Sequence, residues 1–319
     1  MNLARNIMNK IFISTSSFGK YDNSPLELCE EKGYEVVLNP HMRKVKPHEL
    51  VKLARDAVGL IAGTEIITEE ILSKLPHLKI ISRCGVGVDN IDVDAAKKTG
   101  IKVFNTPNVP TLAVAELTVG LILNLLRKVN TMDALIKNGK WDKLMGNLLY
   151  GKKVGIIGFG HIGQKVGELL SVFSTELAYY DIEYKSCLIN CSYKEFEKIL
   201  SWAEIVTLHL SISKGKGPIM GNKELNLMKR GTWLVNVSRG GVVHEKALYK
   251  ALKNGHLAGA ALDVFGHEPY KGPLLELDNV ILTPHVGSYA KEARIKMETA
   301  AMDNLVKGLE AFQNFSPRF

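Results

Sequence analysis

With 319 residues, of which 46% are hydrophobic and 23% charged, the chain can build large cores, which excludes an intrinsically disordered protein and favours two domains. The net charge of +8 suits small anionic ligands, but the lysines and arginines are scattered, so the pattern does not predict a nucleic-acid partner. The four cysteines form no pair at metal-ligand spacing, so no metal is predicted, and their thiols are expected to be reduced in the cytoplasm.

The first hundred residues alternate short β-branched runs with amphipathic stretches. Such apolar runs are typical of parallel strands covered on both faces, and the stretches between them predict helices, as at Thr68–Leu75 and Val93–Thr99. No signal peptide is expected in Met1–Lys10, and the turn-rich Asn105–Asn108 predicts a domain boundary and hinge. The predicted strands are Lys10–Thr15, Tyr34–Asn39, Gly59–Gly63, Lys79–Gly85 and Lys102–Asn105.

A long apolar helix is predicted over Leu112–Arg127, whose most hydrophobic part is too short to span a bilayer, so no membrane partner is expected. Six further strands then predict a doubly wound nucleotide-binding domain. Apolar residues at every fourth position from Met297 to Leu309 indicate a last helix within Ala290–Phe312. The strands of this second series are Lys152–Gly158, Glu176–Asp181, Glu204–Leu210, Thr232–Ser238, Gly259–Val264 and Asn279–His285.

A glycine-rich turn separates the first strand of the second series from a helical pattern. Its glycines permit a tight turn and a close backbone approach to a pyrophosphate, which the N-terminus of the helix would bind. Asp181 ends the next strand, where a carboxylate accepts from ribose hydroxyls and repels a 2′-phosphate, so we predict NAD, with Lys185 leaving NADP open. The predicted cofactor-binding residues of the turn are Gly158, Phe159, Gly160, His161, Ile162 and Gly163.

Three polar residues follow the last three predicted strands, where an open α/β sheet binds its ligands. Arg239 offers a planar fork for a substrate carboxylate and can polarise a carbonyl group. His285 can donate a proton to the carbonyl oxygen as hydride arrives, and Glu268 beside it would stabilise the imidazolium. Each residue alone also has a purely structural explanation, so the sequences around them decide the interpretation.

Those sequences resemble the D-isomer-specific 2-hydroxyacid dehydrogenases, in particular the branch of phosphoglycerate dehydrogenases and glyoxylate/hydroxypyruvate reductases. The similar stretches occur in family order and cover nearly the whole chain. They are Gly85–Asp92, Asn105–Pro107, Ala115–Thr118, Gly158–Gly163, Asn236–Gly240, Ala261–Phe265, His267–Pro269 and Thr283–Gly287.

The resemblance implies hydride transfer between NAD(H) and C2 of a small anionic D-2-hydroxy or 2-keto acid. It implies that Asp263 contacts the nicotinamide carboxamide, and that the backbone at Val86 and Gly87 meets the substrate carboxylate, with Arg83 near that pocket. The catalytic residues that it implies are Arg239, Glu268 and His285.

The resemblance further implies two doubly wound parallel-sheet α/β domains with a cleft between them, in a homodimer. Residues 1–105 and 290–319 would form a flavodoxin-like substrate domain, and residues 106–289 a Rossmann NAD domain. The segment Gly59–Thr64 lacks the arginine that phosphoglycerate dehydrogenases typically carry there, which weakens the case for a phosphorylated substrate, although Arg83 remains near the expected pocket. A chain ending at Phe319 is expected to lack their serine-binding regulatory domain.

Two other functions stay open at this point. A non-catalytic NAD-sensing corepressor could share the fold and keep the three catalytic residues. A formate or phosphite dehydrogenase would share the architecture but needs other residues in the substrate pocket. An assay of turnover with 2-keto acids distinguishes both from the predicted enzyme.

Overall fold

The computed structural model describes residues 9–211 and 217–315. Residues 1–8, where no signal peptide is expected, lie outside the described residues. The chain divides into two units, the first made of the described residues of Met1–Pro110 and Ser288–Phe319 and the second of those of Thr111–Gly287. Which part of the function each unit serves stays a prediction.

The first unit alternates strands with helices, and its strands pair in parallel in the order β2-β1-β3-β4-β5 once they are numbered along the chain. They are β1 (Lys10–Ile13), β2 (Glu35–Leu38), β3 (Gly59–Ala62), β4 (Ile80–Arg83) and β5 (Lys102–Phe104), with helices α1 (Ser24–Glu31), α2 (Pro47–Ala54), α3 (Glu69–Leu72) and α4 (Val93–Lys98). This is the flavodoxin-like order of a doubly wound sheet. Ile11 and Ile13 pack in one apolar cluster and Phe12 in another, because alternate side chains of a strand point to opposite faces.

The second unit is a larger parallel sheet with helices. Its elements are α5 (Thr111–Arg127), α6 (Val129–Lys137), β6 (Lys153–Ile157), α7 (His161–Ser171), β7 (Glu176–Tyr180), β8 (Cys191–Tyr193), α8 (Phe196–Trp202), β9 (Ile205–Leu208), α9 (Asn222–Leu227), β10 (Thr232–Asn236), α10 (Glu245–Lys253), β11 (Leu257–Leu262) and β12 (Val280–Leu282), with a 3-10 turn at Pro273–Glu276. The strand order is β12-β11-β10-β9-β6-β7-β8. The order reverses between β6 and β9, which is the switch point where such sheets bind ligands.

The sequence predicts six strands for this second sheet, and the described residues contain a seventh, β8. It pairs with β7 in parallel through Leu177 and Cys191 at the edge of the sheet. With three half-buried or exposed residues, β8 has no apolar run that hydrophobic patterning could detect. The predicted Rossmann domain is therefore correct in class but one edge strand short.

The chain returns to the first unit as helix α11, Lys291–Phe315. Its buried residues Met297 and Leu305 join the apolar cluster that contains Ile11. Near the start of α11 the buried Arg294 donates to the Glu298 carboxylate at 2.7 Å, and Glu298 also accepts the Gly19 N–H at 3.0 Å. This buried ion pair ties the last helix to the loop that follows β1.

In each sheet the C-terminal ends of the parallel strands lie along one edge, and the predicted site residues follow those ends. None of the helices within residues 9–211 and 217–315 has both the length and the apolar character that crossing a membrane requires. In the same part of the chain, no three His, Cys, Asp or Glu side chains come together in a way that could hold a metal ion.

Candidate active site

The glycine turn joins β6 to α7 and brings together the six residues predicted to bind the cofactor. Gly158 has φ +89°, and a Cβ there would overlap the carbonyl group of His209. A Cβ on Gly163 would overlap the carbonyl oxygen of Gly158, so this glycine permits the close contact of helix and turn. Gly160 differs, because apart from its chain neighbours no atom of the described residues lies within 4 Å of a Cβ built on it. The open space beside Gly160 is where a pyrophosphate could approach the backbone.

The neighbours of these glycines complete a cradle for an anion. Phe159 is buried and stacks on Tyr179 with ring centroids 4.1 Å apart, which fixes the turn against β7. Helix α7 begins at His161, and Gly160 supplies no side-chain cap to its first N–H groups, which include that of Ile162. Exposed donors at a helix N-terminus and the helix dipole both favour phosphate. The residues present therefore fit a dinucleotide.

Asp181 follows β7 and faces the glycine turn. Its Oδ2 accepts the Phe159 N–H at 2.7 Å, whereas its Oδ1 accepts only a long bond of 3.4 Å from the Glu183 N–H. Oδ1 therefore retains capacity for ribose hydroxyls. Lys185, which could favour NADP, forms an ion pair with Glu183 at 2.5 Å, and this hydrogen bond raises the pKa of Lys185. The exposed carboxylate of Glu183 thus competes with a 2′-phosphate for the lysine.

Arg239 lies in the loop after β10, and its neighbours fix the loop. The Asn236 side chain accepts from the Ser238 hydroxyl at 2.7 Å and donates to the Arg239 carbonyl at 3.2 Å. The Arg239 guanidinium donates to the Ser238 carbonyl at 2.8 Å and is half-buried. A Cβ on Gly240 would overlap the Phe265 carbonyl group, so this loop packs directly on the one that leads to Glu268.

Glu268 and His285 form a pair at the ends of β11 and β12. Nδ1 of His285 lies 3.0 Å from Oε2 of Glu268, and Oε1 of Glu268 accepts the Phe265 N–H at 3.1 Å. An ionised carboxylate only accepts, so Nδ1 is the donor, and Nε2 is the ring nitrogen left to exchange a proton. Both side chains are well exposed, at 45% and 39%. The geometry is that of an imidazole oriented by a carboxylate.

Asp263 directly follows β11 and is 1% exposed. Its carboxylate accepts three hydrogen bonds from residues 283–287, the loop that carries His285. A carboxylate has about four acceptor positions, so one more donor, such as a carboxamide N–H, could still bind. The predicted contact with the cofactor stays a prediction, and the bonds to the histidine loop are a contact that the sequence did not indicate.

Of the predicted substrate residues, Arg83 ends β4, and Val86 and Gly87 lie in the loop that follows it in the first unit. Thr106 holds the start of their loop, since its hydroxyl accepts the Gly85 N–H at 2.9 Å. Val86 and Gly87 are half-buried, and their N–H groups donate to none of the described residues. The guanidinium of Arg83 lies over Gly85 and donates to the Cys84 carbonyl. The loop therefore presents backbone donors, while Arg83 folds back onto its own loop.

Sequence reasoning missed two contributors to this site. His209 follows β9, and its carbonyl group restricts Gly158 to glycine, while Nε2 of His209 lies 2.9 Å from the Thr207 hydroxyl. Thr283 donates its hydroxyl to Asp263 at 2.6 Å. Thr283 could have been found from its position, because it is a hydroxyl residue two positions before the candidate histidine. Nothing in the sequence around His209 indicates its role.

Comparisons with known proteins identify the family of the chain. Residues 119–287 match the sequence model of a protein family described as "D-isomer specific 2-hydroxyacid dehydrogenase, NAD binding domain". The glyoxylate reductase of Thermofilum pendens is 40% identical over 275 residues, which are 82% of this chain and 81% of that protein. The D-3-phosphoglycerate dehydrogenase of Methanocaldococcus jannaschii is 39% identical over 89% of this chain, but the match spans only 55% of that longer protein.

Among solved structures, the TT0316 protein from Thermus thermophilus is similar with a TM-score of 0.88 and 34% identity, covering 95% of this chain and 97% of that one. The family match spans half of the chain, and the similarity to the glyoxylate reductase extends over most of it. These similarities favour the oxidoreductase over the non-catalytic corepressor. The chain therefore belongs to the D-isomer-specific 2-hydroxyacid dehydrogenases and is an NAD-dependent oxidoreductase of small 2-hydroxy and 2-keto acids.

Proposed function

We propose that His285, Glu268 and Arg239 catalyse the reduction of a small, unphosphorylated 2-keto acid by NADH. The observation that carries the proposal is the His285–Glu268 pair, 3.0 Å apart at the C-terminal edge of the sheet that also holds the glycine turn. Bound NADH supplies a hydride to C2 of the keto acid. Nε2 of His285 donates a proton to the carbonyl oxygen as negative charge develops there.

The other polar residues orient the reactants. Glu268 holds the imidazole through Nδ1 and stabilises its positive charge before the proton leaves. The guanidinium of Arg239 binds the substrate carboxylate and polarises the carbonyl, because its planar fork can serve two oxygens at once. The free N–H groups of Val86 and Gly87 bind the carboxylate as well, and Arg83 adds positive charge to their loop.

The substrate is proposed to be glyoxylate or hydroxypyruvate. The glyoxylate reductase of Thermofilum pendens supports this choice by its similarity over 82% of the chain. The segment Gly59–Thr64 offers no arginine to a phosphate group, and Glu65 right after it is buried and accepts the Gly63 N–H at 2.9 Å. The absence of an arginine from this segment favours an unphosphorylated substrate.

The test is a steady-state screen with NADH of glyoxylate, hydroxypyruvate, pyruvate, oxaloacetate and 3-phosphohydroxypyruvate. Glyoxylate and hydroxypyruvate should have the highest kcat/KM. His285→Ala should lower kcat by about 10²–10⁴-fold and leave NADH affinity, measured by fluorescence titration, unchanged. Near-normal turnover by His285→Ala would contradict the mechanism, and a preference for the phosphorylated acid would contradict the substrate.

The proposal includes a homodimer built through the segment 140–150 of the second unit. This segment exposes large apolar side chains, which a second copy of the chain would cover. They are Trp141 (79% exposed), Met145 (89%), Leu148 (69%) and Tyr150 (72%). In light scattering, Trp141→Glu with Met145→Glu should give monomers, whereas Val172→Glu, a charge placed at an equally exposed apolar residue elsewhere, should not. A dimer that survives the double change would refute this interface.

The proposed location is the cytoplasm. Cys29, Cys84, Cys187 and Cys191 are all free thiols in the structure, as a reducing compartment would keep them. Cell fractionation with a tagged full-length chain should recover the activity with cytoplasmic markers. Recovery with exported proteins would contradict the assignment.

A further inference from the structure

The loop that carries His285 is bound on both sides of that residue by one buried carboxylate. Oδ1 of Asp263 accepts the Thr283 hydroxyl at 2.6 Å and the Val286 N–H at 2.8 Å. Oδ2 accepts the Gly287 N–H at 2.8 Å. Hydrogen bonds to an ionised acceptor are stronger than those between neutral groups, and burial removes the competition of water. Asp263 therefore fixes residues before and after the candidate proton donor.

The backbone of His285 needs such support. Its φ of +56° lies in the left-handed region, which a residue with a Cβ adopts only when its surroundings hold it there. Within the loop, the N–H of His285 donates to the Thr283 carbonyl at 3.0 Å, which tightens the turn but does not connect it to the sheet. At the start of the loop the Thr283 N–H donates to the Leu262 carbonyl of β11 at 3.0 Å, and beyond His285 the connections come from Asp263, directly after β11.

We propose that Asp263 is a positioning residue for the proton donor, in addition to any contact with the cofactor. It holds the backbone of residues 283–287 so that the ring of His285 meets Glu268 and presents Nε2 to the substrate. The two carboxylates thus divide the task, since Glu268 orients the ring and Asp263 orients the backbone. The inference rests on the proposed role of His285 as the proton donor.

The proposal predicts that a neutral change at Thr283 slows turnover without weakening cofactor binding. Thr283→Val has nearly the same volume and charge but removes one bond to Asp263, and misplacing a catalytic group by about 1 Å can cost on the order of 100-fold in rate. We expect kcat with saturating NADH and keto acid to fall tenfold or more, and the dissociation constant of NADH to stay within twofold. Thr283→Ser retains the hydroxyl and should recover most of kcat.

The matched control is Thr175→Val, which removes a threonine hydroxyl that donates to the Leu170 carbonyl at 2.9 Å, away from the loop. Its kcat should equal that of the unaltered enzyme. Wild-type kcat in Thr283→Val, or a loss that Thr283→Ser does not reverse, would overturn the proposal.

A second readout needs no turnover. Asp263→Asn places an N–H₂ group where one of the loop donors needs an acceptor, so the amides of Val286 and Gly287 should exchange with deuterium faster in the protein without cofactor. Unchanged exchange would overturn the positioning role, as would an Asp263→Asn enzyme that loses NADH affinity but keeps kcat. Failure of the proposed function is distinguishable, because His285→Ala would then retain turnover while the exchange at the loop still responded to Asp263→Asn.

Discussion

Lowering the pH should reduce the free energy of unfolding through one buried imidazole, that of His209. Its Nε2 lies 2.9 Å from the Thr207 hydroxyl, and its Nδ1 is buried without a hydrogen-bond partner among the described residues. Burial disfavours the charged ring and lowers the pKa of His209 from 6.5 to about 3. At about pH 5 the ring is therefore neutral in the folded protein and protonated in the unfolded chain.

The sign and size of the effect follow from that difference. Between pH 6.5 and about 3 the unfolded chain binds more protons, so the stability present at neutral pH is lost as the pH falls. At about pH 5, roughly 1.5 pH units below the unfolded pKa, the loss is about 2 kcal/mol. Glu49, whose hydrogen bond with Arg43 lowers its pKa from 4.5 to about 2, contributes little between about pH 7 and about pH 5, because its carboxyl is mostly ionised in the folded and the unfolded chain there.

The measurement is urea unfolding of the wild type and of His209→Asn at about pH 7 and about pH 5, at one protein concentration. Asparagine retains a polar partner for Thr207 but does not titrate. The free energy of unfolding of the wild type should fall by about 2 kcal/mol more than that of the variant. Equal losses would refute the reasoning, because folded His209 would then bind its proton as readily as an unfolded histidine.

Three substitutions test the cofactor site, and alkylation of Cys29 tests the core of the first unit. Asp181→Ala should reduce the preference for NADH over NADPH in kcat/KM by about tenfold or more, and a wild type that prefers NADPH would contradict the role of this carboxylate. Gly160→Ala places a Cβ in open space, so the melting temperature should match that of the wild type, while the dissociation constant of NADH should rise at least tenfold. Gly163→Ala places a Cβ against the Gly158 carbonyl oxygen, so this variant should have a lower melting temperature. Burial raises the pKa of Cys29 to about 12, so iodoacetamide should alkylate this thiol at about pH 8 only after unfolding, and rapid alkylation of the native protein would contradict its burial.

The sequence was sufficient to locate much of the site, because the C-terminal ends of parallel strands all lie at the same edge of a sheet. Once the runs before Arg239, Glu268 and His285 are recognised as strands, the doubly wound rule places the residues that follow them at one edge of a sheet. The structure has those strands, β10, β11 and β12, as direct neighbours. The glycine turn was predictable for a related reason, since Gly158 and Gly163 permit contacts that any side chain would block.

Contacts between segments far apart in the sequence were not predictable in this way. The bonds from residues 283–287 to Asp263 depend on the register of β11 with β12, where Leu262 pairs with Leu282. The close contact of the His209 carbonyl group with Gly158 depends on the register of β6 with β9, where Ile157 pairs with Leu208. Hydrophobic periodicity carries no signal for either arrangement, because it reports which face of an element is apolar and not which polar atoms meet beyond its end.

The two carboxylates near His285 also differ in how strongly their hydrogen bonds hold the groups that they contact. The pair formed with Glu268 is exposed, at 45% and 39%, and exposed ion pairs contribute only about 0–1 kcal/mol. By itself, that pair holds the ring only weakly. Asp263 is 1% exposed, and losing one hydrogen bond to a charged group of this kind costs about 1.5–3 kcal/mol. The orientation of the proton donor therefore depends more on the buried carboxylate that binds its backbone than on the exposed one that binds its ring.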